Sequence, residues 1–225
     1  MNTKWLLAIL GCLAVSSIAA LEGATFPYPY KRIDLDNGFR AYLIRAGGPG
    51  QIAYVTAVRT GSRDEWEPGR SGYAHFFEHM MFRGTKKYPD HSGVLTRIGA
   101  DNNAFTSDDM TVYYVVASSE SLAQVMDLEA DRFKNLDYSE EDFRVEAGAV
   151  LGEFNQGRAN PFLHLYEAVR GTAFTRHTYR HLTIGLEPDV RSMPEGYEYS
   201  RSFFRRYYRP ENCVLLLVGD FDWDT

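Results

Sequence analysis

Two histidines four residues apart, His75 and His79, enclose Phe76, Phe77 and Glu78. On a helix that spacing puts both imidazoles on one face, about 6 Å apart along the axis, so that they can converge on one metal ion. Glu78 projects beside the pair, within reach of a water held by that ion. In a chain of 225 residues with 6 histidines, an accidental H-x-x-E-H has a probability of roughly 0.01. The plainer reading is a solvated helix face, because polar residues must occupy the outside of any surface helix. Against it stands the company the motif keeps. A catalytic zinc needs a third protein ligand and an open position, and Glu146 and Glu153, seven apart, share one face of a later helix.

The elements that must carry these groups are legible from periodicity. Residues 71–82 place Tyr73, Phe76, Phe77 and Met80 at helical spacing, with His75, Glu78 and His79 off that apolar stripe. A second helix over 140–154 is opened by Ser139 with Asp142 three residues on, an approximate capping box. Its stripe is Phe143, Ala147, Val150 and Phe154, so Glu146 and Glu153 border the buried side. Gly148 and Gly152 cost that helix about 1 kcal/mol each relative to alanine, which close approach of another backbone would explain. Upstream, 31–35, 39–45 and 52–59 read as three strands of a meander, separated by Asp36-Asn37-Gly38 and Gly47-Gly48-Pro49-Gly50. A short helix at 93–98, a hairpin of 103–106 and 111–117, helices at 121–133, 162–173 and 195–207, and a last strand at 214–218 complete the order. Mixed runs of strands and helices with hairpin links indicate an α+β fold, a largely antiparallel sheet with helices packed on it.

Composition narrows the function. The chain carries 24 basic against 30 acidic residues, net −6, so nucleic acid is not an expected partner. Lys4, an apolar run over 5–15, and Ser16, Ser17, Ala19 and Ala20 form a secretory leader, with cleavage expected after Ala19 and a mature domain over 20–225. The run is too short for a stable membrane span. Export to the periplasm or the extracellular space follows, with a lipoprotein anchored through Cys12 as the alternative. Cys213 then has no disulfide partner within the mature chain and reads as a buried small hydrophobe. Neither a nucleophile elbow nor a phosphate-binding glycine loop is present, which removes the main support for serine hydrolase and nucleotide-dependent readings.

Several segments together resemble the pitrilysin family of inverted-motif zinc peptidases, which includes insulysin and the mitochondrial processing peptidase. They are Gly61-Ser62-Arg63-Asp64-Glu65, the run from Gly72 through His75-Phe76-Phe77-Glu78-His79 to Met80, Asn103-Ala104-Phe105-Thr106, Glu146 to Glu153, and Val218-Gly219-Asp220. The resemblance implies one zinc per chain on His75, His79 and Glu153, Glu78 as general base, and Glu146 as the carboxylate that orients a ligating histidine. It also implies that Asn103, Ala104, Phe105 and Thr106 form an edge strand that receives an extended peptide as an added strand. Such peptidases build each half from two related domains, so a second homologous domain or a partner subunit is expected. The expected function is a zinc endopeptidase or oligopeptidase; the alternative is a non-catalytic zinc-binding or peptide-binding subunit of a two-chain assembly.

Overall fold

Alternation in the third strand shows how the core is organised. Ile52, Tyr54, Thr56 and Val58 are buried, while Ala53, Val55 and Ala57 between them are only half-buried, so one face of the sheet meets the helices. The computed structural model describes residues 26–223; the expected leader and Cys12 lie outside the described residues. Six strands are described: β1 Tyr30–Asp34, β2 Arg40–Arg45, β3 Gln51–Val58, β4 Asp101–Thr106, β5 Thr111–Ser118 and β6 Cys213–Gly219. Their order is β1-β2-β6-β3-β5-β4. Only β2 with β6 is parallel; every other pair is antiparallel, as the α+β reading expects.

One expectation is corrected. The first three strands do not form a meander, because β6, from the far end of the sequence, lies between β2 and β3 and pairs with both. Local alternation identifies strands but carries no record of which distant strand will fill the gap.

The helices are α1 Tyr73–Met80, α2 His91–Arg97, α3 Leu122–Asn135, α4 Glu140–Gly157, α5 Pro161–Ala173, α6 Glu187–Ser192 and α7 Tyr197–Tyr207. The short α6 was not expected from periodicity. Tyr73, Phe76, Phe77 and Met80 of α1 join Phe143, Ala147, Val150 and Phe154 of α4, Phe203 of α7 and Tyr113 of β5 in one buried cluster. Phe76 meets Phe143 at 5.0 Å between ring centroids, and Phe77 stacks on Phe203 at 5.6 Å. Truncating either phenylalanine to alanine would cost about 3–5 kcal/mol. The second cluster joins α2 and α3 to the same sheet face through Val94, Leu95, Val125, Leu128, Tyr54 and Val115.

Two regions depart from the expected packing. Beyond the helix's own backbone, nothing among the described residues lies within 4 Å of a Cβ built on Gly148 or Gly152, so no second described segment packs against α4 there. The next helix, α5, leaves Phe162, Leu165, Tyr166 and Val169 exposed, and Arg170 is its one buried residue among those described.

Between α2 and α3 sits a buried ionic group that spacing did not reveal. His91 Nε2 lies 3.2 Å from Glu129 Oε1, and Arg132 donates from Nε and Nη2 to Glu129 Oε2 at 3.0 and 2.6 Å. The three side chains are 1–2% exposed. Arg132 also lies over the Tyr113 ring, 4.9 Å from its centroid.

Candidate metal centre and active site

The first turn of α1 is fixed by packing and its exposed edge by chemistry. Tyr73, Phe76, Phe77 and Met80 point into the core, which rotates His75 and His79 toward α4. His75 is itself buried, so the apolar face is wider than the four-residue stripe and the first histidine lies inside its margin. On α4, Ser139 accepts from the Asp142 N–H and Asp142 takes the Ser139 N–H in return, the expected capping box. With Phe143, Ala147 and Val150 buried, Glu146 and Glu153 stand at the rim that faces α1.

Three ligand-type atoms meet there. His75 Nε2 and His79 Nε2 are 3.3 Å apart, and Glu153 Oε2 is 3.5 Å from the first and 3.4 Å from the second. A tetrahedral zinc with bonds of 2.0–2.1 Å separates its ligand atoms by about 3.3–3.4 Å, so the triangle has the dimensions of one face of that tetrahedron. Among the described residues, this is the one His/Cys/Asp/Glu group that meets the geometry of a metal site.

Protonation agrees with the geometry. His79 Nδ1 lies 2.9 Å from Glu146 Oε1, which places the ring proton on Nδ1 and leaves the Nε2 lone pair directed into the triangle. The hydrogen bond to Glu146 raises the His79 pKa above the ordinary histidine value, against the opposing effect of burial. Glu146 is held below the usual carboxylate range by that same bond, despite partial burial, with help from Arg83, whose Nε donates to Glu146 Oε2 at 3.0 Å. Burial lowers the His75 pKa, which favours its neutral ring. Its Nδ1 is buried without a hydrogen-bond partner, which leaves Nε2 as the nitrogen its neighbours engage. Three such acceptor-capable atoms drawn this close need a shared proton or a cation between them. The residues present therefore fit a divalent, borderline-soft ion such as zinc.

Glu78 is not part of the triangle. Its Oε2 accepts a hydrogen bond of 2.5 Å from the Thr106 hydroxyl, which leaves Oε1 for a second partner. Thr106 is the last residue of β4, and β4 is an edge strand because β5 is its one neighbour in the sheet order. Asn103 is exposed and its Oδ1 accepts the Ala104 N–H at 2.9 Å. Ala104 is buried under α1, whereas Phe105 is 46% exposed on the opposite face. The structure thus brings His75, His79, Glu153, Glu146, Glu78 and Thr106 into one region, while Asn103 and Phe105 have no contact with the triangle.

Two contributors escaped the sequence reading. Arg83 lies four residues after His79, just beyond the end of α1, and that i, i+4 spacing was the available signal. Glu65, within the Gly61–Glu65 segment, accepts backbone N–H groups at the start of α1 from seven and nine residues away, a relation no periodicity encodes.

Comparison with known proteins gives one family match, two curated relatives and two solved structures. Residues 50–185 match the model of the insulinase family, peptidase family M16. The chain is 29% identical over 223 residues to the zinc protease PqqE of Helicobacter pylori, covering 97% of this chain and 50% of that protein. It is 32% identical over 243 residues to the probable zinc protease PqqL of Escherichia coli, covering 98% of this chain and 24% of the relative. Among solved structures, a protease from Helicobacter pylori superposes with a TM-score of 0.83 at 28% identity, over 88% of this chain and 48% of the other. The periplasmic protease PqqL from Escherichia coli superposes with a TM-score of 0.74 at 28% identity, over 88% and 23%. The chain thus spans half, or about a quarter, of the length of these relatives.

Proposed function

Because the chain belongs to the insulinase family of peptidases, M16, we propose that it is the metal-bearing portion of a zinc peptidase that hydrolyses extended peptides. The observation that carries this reading is the triangle of His75 Nε2, His79 Nε2 and Glu153 Oε2, with sides of 3.3–3.5 Å. In it, His75, His79 and Glu153 hold one zinc, which when bound supplies a Lewis acid able to bring the pKa of water to about 7.

The chain's own groups do the rest. Glu78 accepts a proton from the attacking water on the oxygen that Thr106 leaves open, then returns it to the departing amine. Glu146 fixes the His79 tautomer through Nδ1 and is itself anchored by Arg83. Asn103, Ala104, Phe105 and Thr106 present the outer edge of β4 to the substrate backbone, so recognition favours unfolded or extended chains over folded ones. The domain over 20–225 works with a second homologous domain or partner subunit, in keeping with the 50% coverage of the Helicobacter relative. Among the described residues no helix is long and apolar enough to cross a membrane. Together with a relative titled a periplasmic protease, the leader expected at the N-terminus supports action outside the cytoplasm.

The test compares the parent with Glu78→Gln for bound metal and peptide turnover. Both proteins should carry one zinc, and turnover should fall by roughly 10²–10⁴-fold in the variant. A variant that keeps its metal and cleaves as fast as the parent removes Glu78 from the mechanism. A parent that binds zinc but cleaves nothing, even beside its companion half, leaves the non-catalytic subunit.

A further inference from the structure

Helix α1 begins without a cap of its own. Its N-cap, Gly72, has φ +94°, and a Cβ there would fall 2.8 Å from the Ile184 carbonyl oxygen, so Ser, Thr, Asp or Asn cannot take the position without strain. Two of the donors at the helix start are nonetheless satisfied. The Gly72 and Ala74 N–H groups donate to Oε2 and Oε1 of Glu65, each at 2.7 Å. That carboxyl group is 4% exposed. Burial pushes its pKa up to about 8, while the two N–H bonds work in the opposite direction.

Glu65 follows the 3-10 turn Ser62–Asp64, and this turn is bound to the loop after β4. The Ser62 and Arg63 N–H groups donate to the Ser107 and Asp108 carbonyls at 3.3 and 2.9 Å, and the Ser62 hydroxyl donates to Asp108 Oδ1 at 3.0 Å. A Cβ on Gly61 would come 2.3 Å from the Ser107 carbonyl oxygen, so the two backbones touch. Ser107 follows Thr106, and Thr106 holds Glu78. A closed circuit results, running from the end of β4 through the 3-10 turn and Glu65 to the first turn of α1, and back through Glu78 to β4.

We propose that Glu65 is a positioning residue: by fastening the first turn of α1 to the frame of β4, it sets where His75, Glu78 and His79 stand relative to Glu153 and the edge strand. This rests on the metallopeptidase reading above. His75 directly follows Ala74, whose N–H is held, so slack in that turn reaches the first imidazole with little attenuation. The carboxylate's two acceptor oxygens are both used, and an amide at the same place offers only one.

The test measures zinc affinity by chelator competition, the visible absorption bands of the cobalt-substituted chain, and Tm, in the parent, Glu65→Gln and Asp90→Ala. The last is a control, since Asp90 caps α2 by accepting the Gly93 N–H at 2.9 Å and α2 carries none of the metal site. Glu65→Gln should still bind one zinc, about tenfold more weakly, the lower end of what loss of an outer partner costs a metal site, and should shift the cobalt bands. Asp90→Ala should lower Tm and leave zinc affinity within about twofold of the parent. If Glu65→Gln does not fold, Glu65→Asp, which keeps the carboxyl group on a side chain one methylene shorter, carries the same expectation. A lowered Tm with unchanged affinity and bands makes Glu65 a cap and nothing more, which overturns the proposal alone. A parent that takes up no zinc overturns the metallopeptidase reading and this proposal with it.

Discussion

Two groups of imidazoles and carboxylates lie in this molecule, and they differ in what fills their centre. Around His91 and Glu129 the positive charge is built in, because the Arg132 guanidinium makes two hydrogen bonds to one carboxylate oxygen and the whole group is sealed from water. Around His75, His79 and Glu153 three acceptor atoms converge with no guanidinium or ammonium group among them, and Glu153 remains exposed. Arg83 is bound to Glu146, outside the triangle. A cluster that contains its own cation is complete and acts on the fold; one built of imidazoles and a carboxylate alone has the geometry to take an ion from solution. Histidine and glutamate content alone does not separate the two.

The sharpest way to break this contrast is to remove a ligand. His79→Ala should weaken zinc binding on the order of a thousandfold or more, with little loss of apoprotein stability because the ring is partly exposed; chelator competition beside thermal melting measures both. Arg132→Met should do the reverse. Uncovering a buried carboxylate costs about 3–5 kcal/mol, read by denaturant unfolding of the apoprotein, while zinc affinity of the folded chain stays within about twofold. Replacing His91, Glu129 and Arg132 together with apolar residues should recover most of that loss, since a fully apolar substitute is often neutral or better. An Arg132→Met chain that lost zinc in proportion to stability would merge the two clusters into one unit.

Smaller effects sharpen the contrast further. Glu146→Gln keeps the shape but weakens the hold on His79 Nδ1, and should lower zinc affinity by about 10–100-fold, measured by competition. Acid should then separate the clusters. His79 holds its proton to a higher pH than an ordinary histidine, so zinc affinity should begin to fall as pH drops through that raised value, by up to about tenfold per pH unit. Although burial raises the Glu129 pKa, Arg132 and His91 hold it below the ordinary carboxylate value overall. Its stabilising contribution is present above the unfolded-state pKa and is lost only as pH falls through the depressed one. Metal analysis and circular dichroism across a titration from neutral to acid should therefore show zinc released while the fold persists.

What the sequence disclosed depended on the range of the interaction. Helix α1, the capping box at Ser139, and the rim placement of Glu146 and Glu153 all follow from spacings of three to seven residues, and each is present. The hairpin of β4 and β5 was legible for the same reason. The pairing of His91 with Glu129, on another helix 38 residues away, has no local mark in the sequence. The place of β6 was hidden likewise. The bare Gly148 and Gly152 surface shows the opposite failure: a local signal was read as a contact that the described residues do not make.

The position of β6 also governs the order of assembly. Neither β2 nor β3 has its inner neighbour until Cys213–Gly219 arrives, so a chain emerging N-terminus first from a ribosome or a translocation pore presents two incomplete sheet fragments until that strand has emerged. Loop closure over such a distance is slow and comes last. The histidine helix thus acquires its rigid bed only once residues through Gly219 are available, and an ion cannot be captured in the finished geometry any earlier.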